Sequence, residues 1–156
     1  MRTIEIGEVG YGRGMSGRYG MSQAATLIQA GKYQEAIEEA TRAIARGEDN
    51  PEYFVERAHA LSILERYPEA VADLEAALRL DAEAAVLDTD RVDDDYFSAL
   101  LGAAKKEAVS SVEAGVTRLA RYREVLPEGS HLKDAEDWRR RLRGELKSEF
   151  VKHRGD

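Results

Sequence analysis

Six glycines fall within the first twenty residues, and Gly12-Arg13-Gly14-Met15-Ser16-Gly17 has the GxGxxG spacing that cradles phosphates when it joins a strand to a helix. A strand over residues 3–9, with Ile4 and Ile6 alternating, supplies the first half of such a unit. The second half is missing. The helix after the loop leads into another helix rather than to a parallel strand bearing an acidic residue for a ribose. No GK[ST] follows, so no Walker loop and no nucleotide cofactor is expected. Residues 1–20 read instead as a Gly-rich arm whose alternating segment could pair with a partner's sheet edge or with its own copy.

The other chemistry-bearing residues are acidic, basic and imidazole groups. Asp88, Asp90, Asp93, Asp94 and Asp95 resemble a hard-cation loop in composition, but they lack the glycine and the terminal glutamate of an EF-hand. They suit the start of a helix, and no metal site is expected. His59, His131 and His153 fall on different elements, with no pair at i, i+4, no HExxH and no GxSxG. The chain contains no cysteine, which removes disulfides, thiolate nucleophiles and Cys-ligated metals. Arg139, Arg140, Arg141, Arg143, Lys147, Lys152 and Arg154 form a basic cluster, yet Glu136, Asp137, Glu145 and Glu149 interleave at spacings that favour intrahelical ion pairs. Catalysis therefore has no sequence basis, and the protein is expected not to be an enzyme.

What must position these side chains is mostly helix. A length of 156 residues fits one domain, and 43% hydrophobic with 34% charged residues excludes both a disordered chain and a membrane-embedded one. The formal charge of -7 disfavours non-specific binding to nucleic acid or anionic lipid. No run approaches the roughly 18 apolar residues of a membrane span, and the N-terminus lacks the apolar core of a secretory signal. A cytoplasmic location without membrane insertion is expected.

An internal repeat organises the chain. Residues 17–50 align with 51–84 at an offset of 34: Ala24 with Ala58, Leu27 with Leu61, Tyr33 with Tyr67, Glu35 with Glu69, Ala36 with Ala70 and Ala43 with Ala77 are identical, while Ile37 with Val71 and Ile44 with Leu78 are conservative. Each copy reads as helix, turn, helix. Gly31 offers a left-handed stop, Asn50-Pro51-Glu52 a capped helix start, and Tyr67-Pro68-Glu69 a second. Residues 81–95 then carry seven acidic groups against one arginine and read as a solvated connection or an extended helix end. A degenerate third unit over 95–128 has one stripe at Tyr96, Phe97, Leu100, Leu101 and Ala104. A capping box at Ser110-Ser111-Val112-Glu113 opens its second helix. A last helix, roughly 131 to 152, carries Leu132, Ala135, Trp138, Leu142, Leu146 and Phe150 on one side.

This pattern resembles the tetratricopeptide repeat, a family of 34-residue helical hairpins. Ala24 and Ala58, Ala36 and Ala70, and Ala43 and Ala77 stand where the family has small residues, and Tyr33 and Tyr67 where it has an aromatic. Gly20 in place of a large residue, Glu65 in place of glycine, and Glu48 and Ala82 in place of proline depart from it. The resemblance implies an all-α, right-handed superhelical stack: arm over 1–20, repeats over 21–130, and a C-terminal capping helix and tail over 131–156.

The resemblance further implies that the first helix of each repeat lines a concave groove. Met21, Ala25, Ile28 and Gln29, then Glu52, Val55, His59, Ser62 and Ile63, then Tyr96, Ala99, Ala103 and Lys106 are the residues it points there. Periodicity alone leaves open that several of them are inter-repeat core. Val55, Glu56 and His59 do not match the clamp with which some members hold a C-terminal carboxylate. The expected role is a non-catalytic scaffold that docks a partner protein segment, apolar or helical, without a cofactor. Beside it stand a self-assembling structural module, forming a homo-oligomer through the arm or the exposed end of the stack, and, more remotely, a nucleic-acid adaptor acting through the basic last helix.

Overall fold

The computed structural model describes residues 22–145. The arm with its GxGxxG run, Met21, and the chain beyond Glu145 lie outside the described residues. Within them the chain forms seven helices and no strand, so the all-α expectation holds.

Local capping and turn residues, several of them expected from sequence, set the helix ends. Ser22 caps α1 (Gln23–Gln29), its hydroxyl accepting from the Ala25 amide at 3.0 Å. Gly31, with φ at 79°, turns the chain into α2 (Tyr33–Ala45). Asn50 accepts from the Glu52 amide at 3.0 Å and starts α3 (Pro51–Ile63), with Pro51 where no amide donor is needed. At the next tight turn Glu65 adopts φ 61°, the left-handed conformation that glycine serves in the first repeat, and leads into α4 (Tyr67–Leu80).

The acidic stretch divides. The Asp81 carboxylate accepts from the amides of Ala85, Val86 and Leu87 at 3.0, 3.1 and 2.8 Å, which builds the turn. Asp88 then caps α5 (Thr89–Ser110) by accepting from the Arg91 amide. The third unit thus begins at Thr89 rather than at 95, because Asp88 supplies the cap and an apolar residue, Val92, already faces the core at 1% exposure. Ser111, one residue after the start of the expected capping box, accepts from the Ala114 amide and opens α6 (Val112–Val125). The last helix, α7 (Leu132–Leu142), stops well short of 152. Gly144 has φ 81°, and the Glu145 amide bonds back to the Arg140 carbonyl, an ending that closes the helix one turn after Trp138.

Consecutive helices pack against each other, and α1 also touches α3, α3 touches α5, and α5 touches α7. The odd-numbered helices therefore share one layer, while α2, α4 and α6 back them. The repeated alanines explain the closeness of this packing. Ala24, Ala58, Ala36, Ala70, Ala43 and Ala77 are all buried where helices meet, and a larger side chain there would force the backbones apart at a cost of about 1–3 kcal/mol. In the third unit Tyr96 and Tyr122 fill the space instead, fully buried with ring centroids 6.1 Å apart.

Polar ties cross the layers. Arg57 grips Asp73 with two bonds of 2.8 and 2.7 Å and reaches Thr41 at 3.0 Å, joining α3 to α4 and α2. Glu75 on α4 accepts from Tyr96 at 2.6 Å and from Arg121 at 3.0 and 2.9 Å, joining the second repeat to the third unit. Among the described residues no helix is long and apolar enough to cross a membrane.

Candidate functional site

The exposed side of the odd-numbered layer carries an open cavity of about 240 Å³ between α3 and α5. Its walls are Ala58, His59, Ser62 and Ile63 from α3, Tyr67 and Leu74 from α4, and Asp95 and Ser98 from α5. Helical spacing explains the set: residues 59, 62 and 63 share one stripe of α3, and residues 95 and 98 one stripe of α5. Ile63 is 42% exposed, an aliphatic side chain presented at the rim.

Toward the start of these helices the same face becomes acidic. Glu56 lies one turn before the cavity and Glu52 one turn before that, both half-buried, and the Ser22 hydroxyl donates to Glu56 at 2.7 Å. Burial pushes the Glu56 carboxyl up to about 7, with Glu52 adding repulsion and the Ser22 bond opposing. Burial also raises Glu52 and Asp95, in each case against the attraction of Arg91. That guanidinium sits 3.7 Å from Asp95, a loose pairing. Three carboxylates thus stand on one partly desolvated face beside Arg91, with His59 also attracting Asp95 and Lys106 lying over the Tyr67 ring.

The residues expected on the groove separate into two groups. His59, Ser62 and Ile63 line the cavity, Glu52 stands on the acidic flank, and Ala25, Ile28 and Gln29 keep partial or full exposure on α1. Lys106 is exposed and pairs with Glu65 at 3.2 Å, above the Tyr67 ring. Val55, Tyr96, Ala99 and Ala103 are corrected: each is 1% exposed or less and belongs to the core. Val55 faces the same way as the alanines that contact neighbouring helices, while the longer α5 shifts the register of the third unit and turns Tyr96 and Ala99 inward. Met21 lies outside the described residues. Glu56, Asp95 and Ser98 are site residues that spacing did not select. The signal for Asp95 was its place three residues before Ser98 on the helix opposite His59, which requires knowing how α3 and α5 pair.

A second cluster sits where α5, α6 and α7 meet. Asp93, a buried carboxylate, accepts from the Tyr122 hydroxyl and from the Ser130 amide and hydroxyl at 2.8 and 3.0 Å. The Tyr122 oxygen in turn accepts from the His131 amide at 3.0 Å. Burial pushes the Asp93 carboxyl up, but these donors outweigh it and hold it below the usual range. His131 stacks on Phe97 at 4.6 Å, with Nε2 2.8 Å from Asp94 and Nδ1 3.0 Å from Asp134. The Asp93 carboxylate and the Tyr122 oxygen are engaged inside the protein, and these bonds clamp the start of α7.

Two larger grooves have ion-paired or backbone-bonded residues among their polar walls. The one of about 710 Å³ between α4 and α6 is bordered by Arg118–Glu107 and Arg121–Glu75 pairs at 2.6 and 2.9 Å. Another, about 720 Å³, is bordered by Asp81 and Asp93, both already engaged with backbone amides. Among the basic residues at α7, Lys133 pairs with Asp137 and Arg139 with Glu136 at helical spacing, Arg140 lies 3.7 Å from Glu145, Arg143 reaches across to Glu113 on α6, and Arg141 lies over the Trp138 ring with no ion pair among the described residues. No group of three or more metal-ligating side chains converges among the described residues.

Comparison with family models, with curated proteins and with solved structures gives no match to this chain.

Proposed function

We propose that the protein is a non-catalytic scaffold of the tetratricopeptide type, whose odd-numbered helices form a concave face that docks a segment of a partner protein. The observation that carries the reading is the contact of α1 with α3 and of α3 with α5, which leaves one side of three helices free of any covering element among the described residues. On that side lies a cavity with an exposed aliphatic rim at Ile63. The 34-residue repeat with its buried alanines supports the same reading, since stacked hairpins of this length bury one face of each first helix and leave the other for ligands.

The test uses a photo-crosslinking amino acid at position 63 in one preparation and at exposed Glu83, on the turn after α4, in another. Crosslinks to one partner segment from position 63 and none from position 83 support docking on this face. Equal labelling from both positions, or labelling from position 83 alone, overturns it. Competition by Ile63→Arg in unlabelled protein gives the affinity change; loss of a buried aliphatic anchor costs roughly tenfold or more.

A further inference from the structure

Resting on that docking reading, we propose that the cavity between α3 and α5 is a receptor for a single arginine or lysine side chain of the partner segment, with Asp95 as its counter-ion. The cavity has the two parts such a side chain needs. Ile63, Tyr67 and Leu74 give an apolar wall for the methylene stem, and Asp95 with the hydroxyls of Ser62 and Ser98 gives acceptors for the charged head. At about 240 Å³ it lies below the roughly 300–1,000 Å³ of small-molecule sites, so it suits one long side chain rather than a cofactor.

Charge complementarity selects the cation. Glu52 and Glu56 continue the acidic face beyond Asp95, and the one guanidinium beside them, Arg91, stands 3.7 Å from Asp95 without closing a short pair. Burial raises all three carboxyls above their ordinary values, with the attraction of Arg91 opposing it in each case. An incoming guanidinium or ammonium offsets the cost of burying these anions, whereas an acidic or purely apolar segment leaves it in place. The net charge of -7 adds long-range attraction for a basic segment.

A display library of random twelve-residue peptides selected against the full chain tests the inference. The expected result is enrichment of arginine or lysine at one fixed position beside an aliphatic residue. Binding of the enriched peptide should weaken about ten- to a hundredfold in Asp95→Asn and stay unchanged in Glu83→Gln, which removes the same charge from a remote exposed site. Ser98→Leu, which fills the mouth of the cavity from an exposed position, should weaken the same peptide. Enriched peptides that lack a cation yet are lost in Ile63→Arg overturn the inference and leave docking on the concave face standing. Cationic peptides weakened equally by Asp95→Asn and Glu83→Gln also overturn it, because the selection then reads overall charge. Absence of enrichment by the wild type overturns it outright, and the crosslinking test decides the docking reading separately.

Discussion

Replacing Tyr122 by phenylalanine removes one oxygen and keeps the ring, which makes it a clean probe of the clamp on α7. The stack on Tyr96 at 6.1 Å and the edge contact with Phe97 at 6.0 Å persist. Two hydrogen bonds are lost: the one donated to the buried Asp93 carboxylate and the one accepted from the His131 amide. A bond to a charged group contributes about 1.5–3 kcal/mol and a neutral one about 1, so the variant is expected to lose about 3 kcal/mol. For a chain of this length that corresponds to roughly 6–12 °C in melting temperature. Urea denaturation followed by circular dichroism checks the figure, with Asp93→Asn and the double variant completing a cycle; a coupling of about 1 kcal/mol or more is expected because the two groups touch. A drop below about 2 °C, or strict additivity, refutes the assignment of Asp93 and Tyr122 as the clamp.

Three further outcomes follow from the same geometry. For His131, burial lowers the imidazole pKa, but the bonds to Asp94 and Asp134 outweigh it, and the net shift is upward. The stability this gives is fully present below the unfolded value of about 6.5 and is lost as pH rises through the folded value, so the melting difference between wild type and His131→Gln should shrink between mildly acidic and mildly alkaline buffer. Glu65→Gly should stabilise the protein by up to about 1 kcal/mol, since φ 61° strains any side chain, and the exposed pairing with Lys106 that it sacrifices contributes little; a denaturant midpoint at or below wild type contradicts this. Val55→Arg places a cation in the core and should cost more than about 4 kcal/mol, abolishing the cooperative thermal transition, while Ile63→Arg at the rim should leave it within about 1 kcal/mol of wild type.

The repeat, the turns and the small-residue contacts were legible because each is encoded locally. Gly31 and Asn50-Pro51 act on their own backbone neighbourhoods, and a 34-residue offset is visible without knowing how helices meet. The start of α5 was harder. Asp88 to Asp95 look alike in sequence, yet one caps the helix, one is buried against Tyr122 and Ser130, and one borders the groove. Long-range packing, which brings Tyr122 of α6 and Ser130 of the turn before α7 against it, makes Asp93 a core residue. The end of α7 at Leu142 was not anticipated, because apolar spacing gives no sign of the left-handed Gly144 and the backbone bonds that close the helix there.

The site itself divides along the same line. His59, Ser62 and Ile63 were reached from the repeat alone, because their offset within the second repeat fixes which stripe of α3 they occupy. Val55 was misassigned by about one helical position. At 3.6 residues per turn adjacent residues differ by about 100°, and a groove stripe and a core stripe are neighbours on the same helix, so hydrophobic pattern cannot divide them. What divides them is the companion helix. Once α5 lies against α3, Val55 is enclosed while His59 and Ile63 stay exposed, and Asp95, which carried no motif, becomes the charged wall of a cavity. The chemistry of the groove is therefore a property of the pair. The stripe of His59, Ser62 and Ile63 on α3 holds no carboxylate, and the opposite wall adds Asp95 to it, so under the proposed reading Asp95 is the substitution that discriminates the nature of the ligand from the existence of the groove.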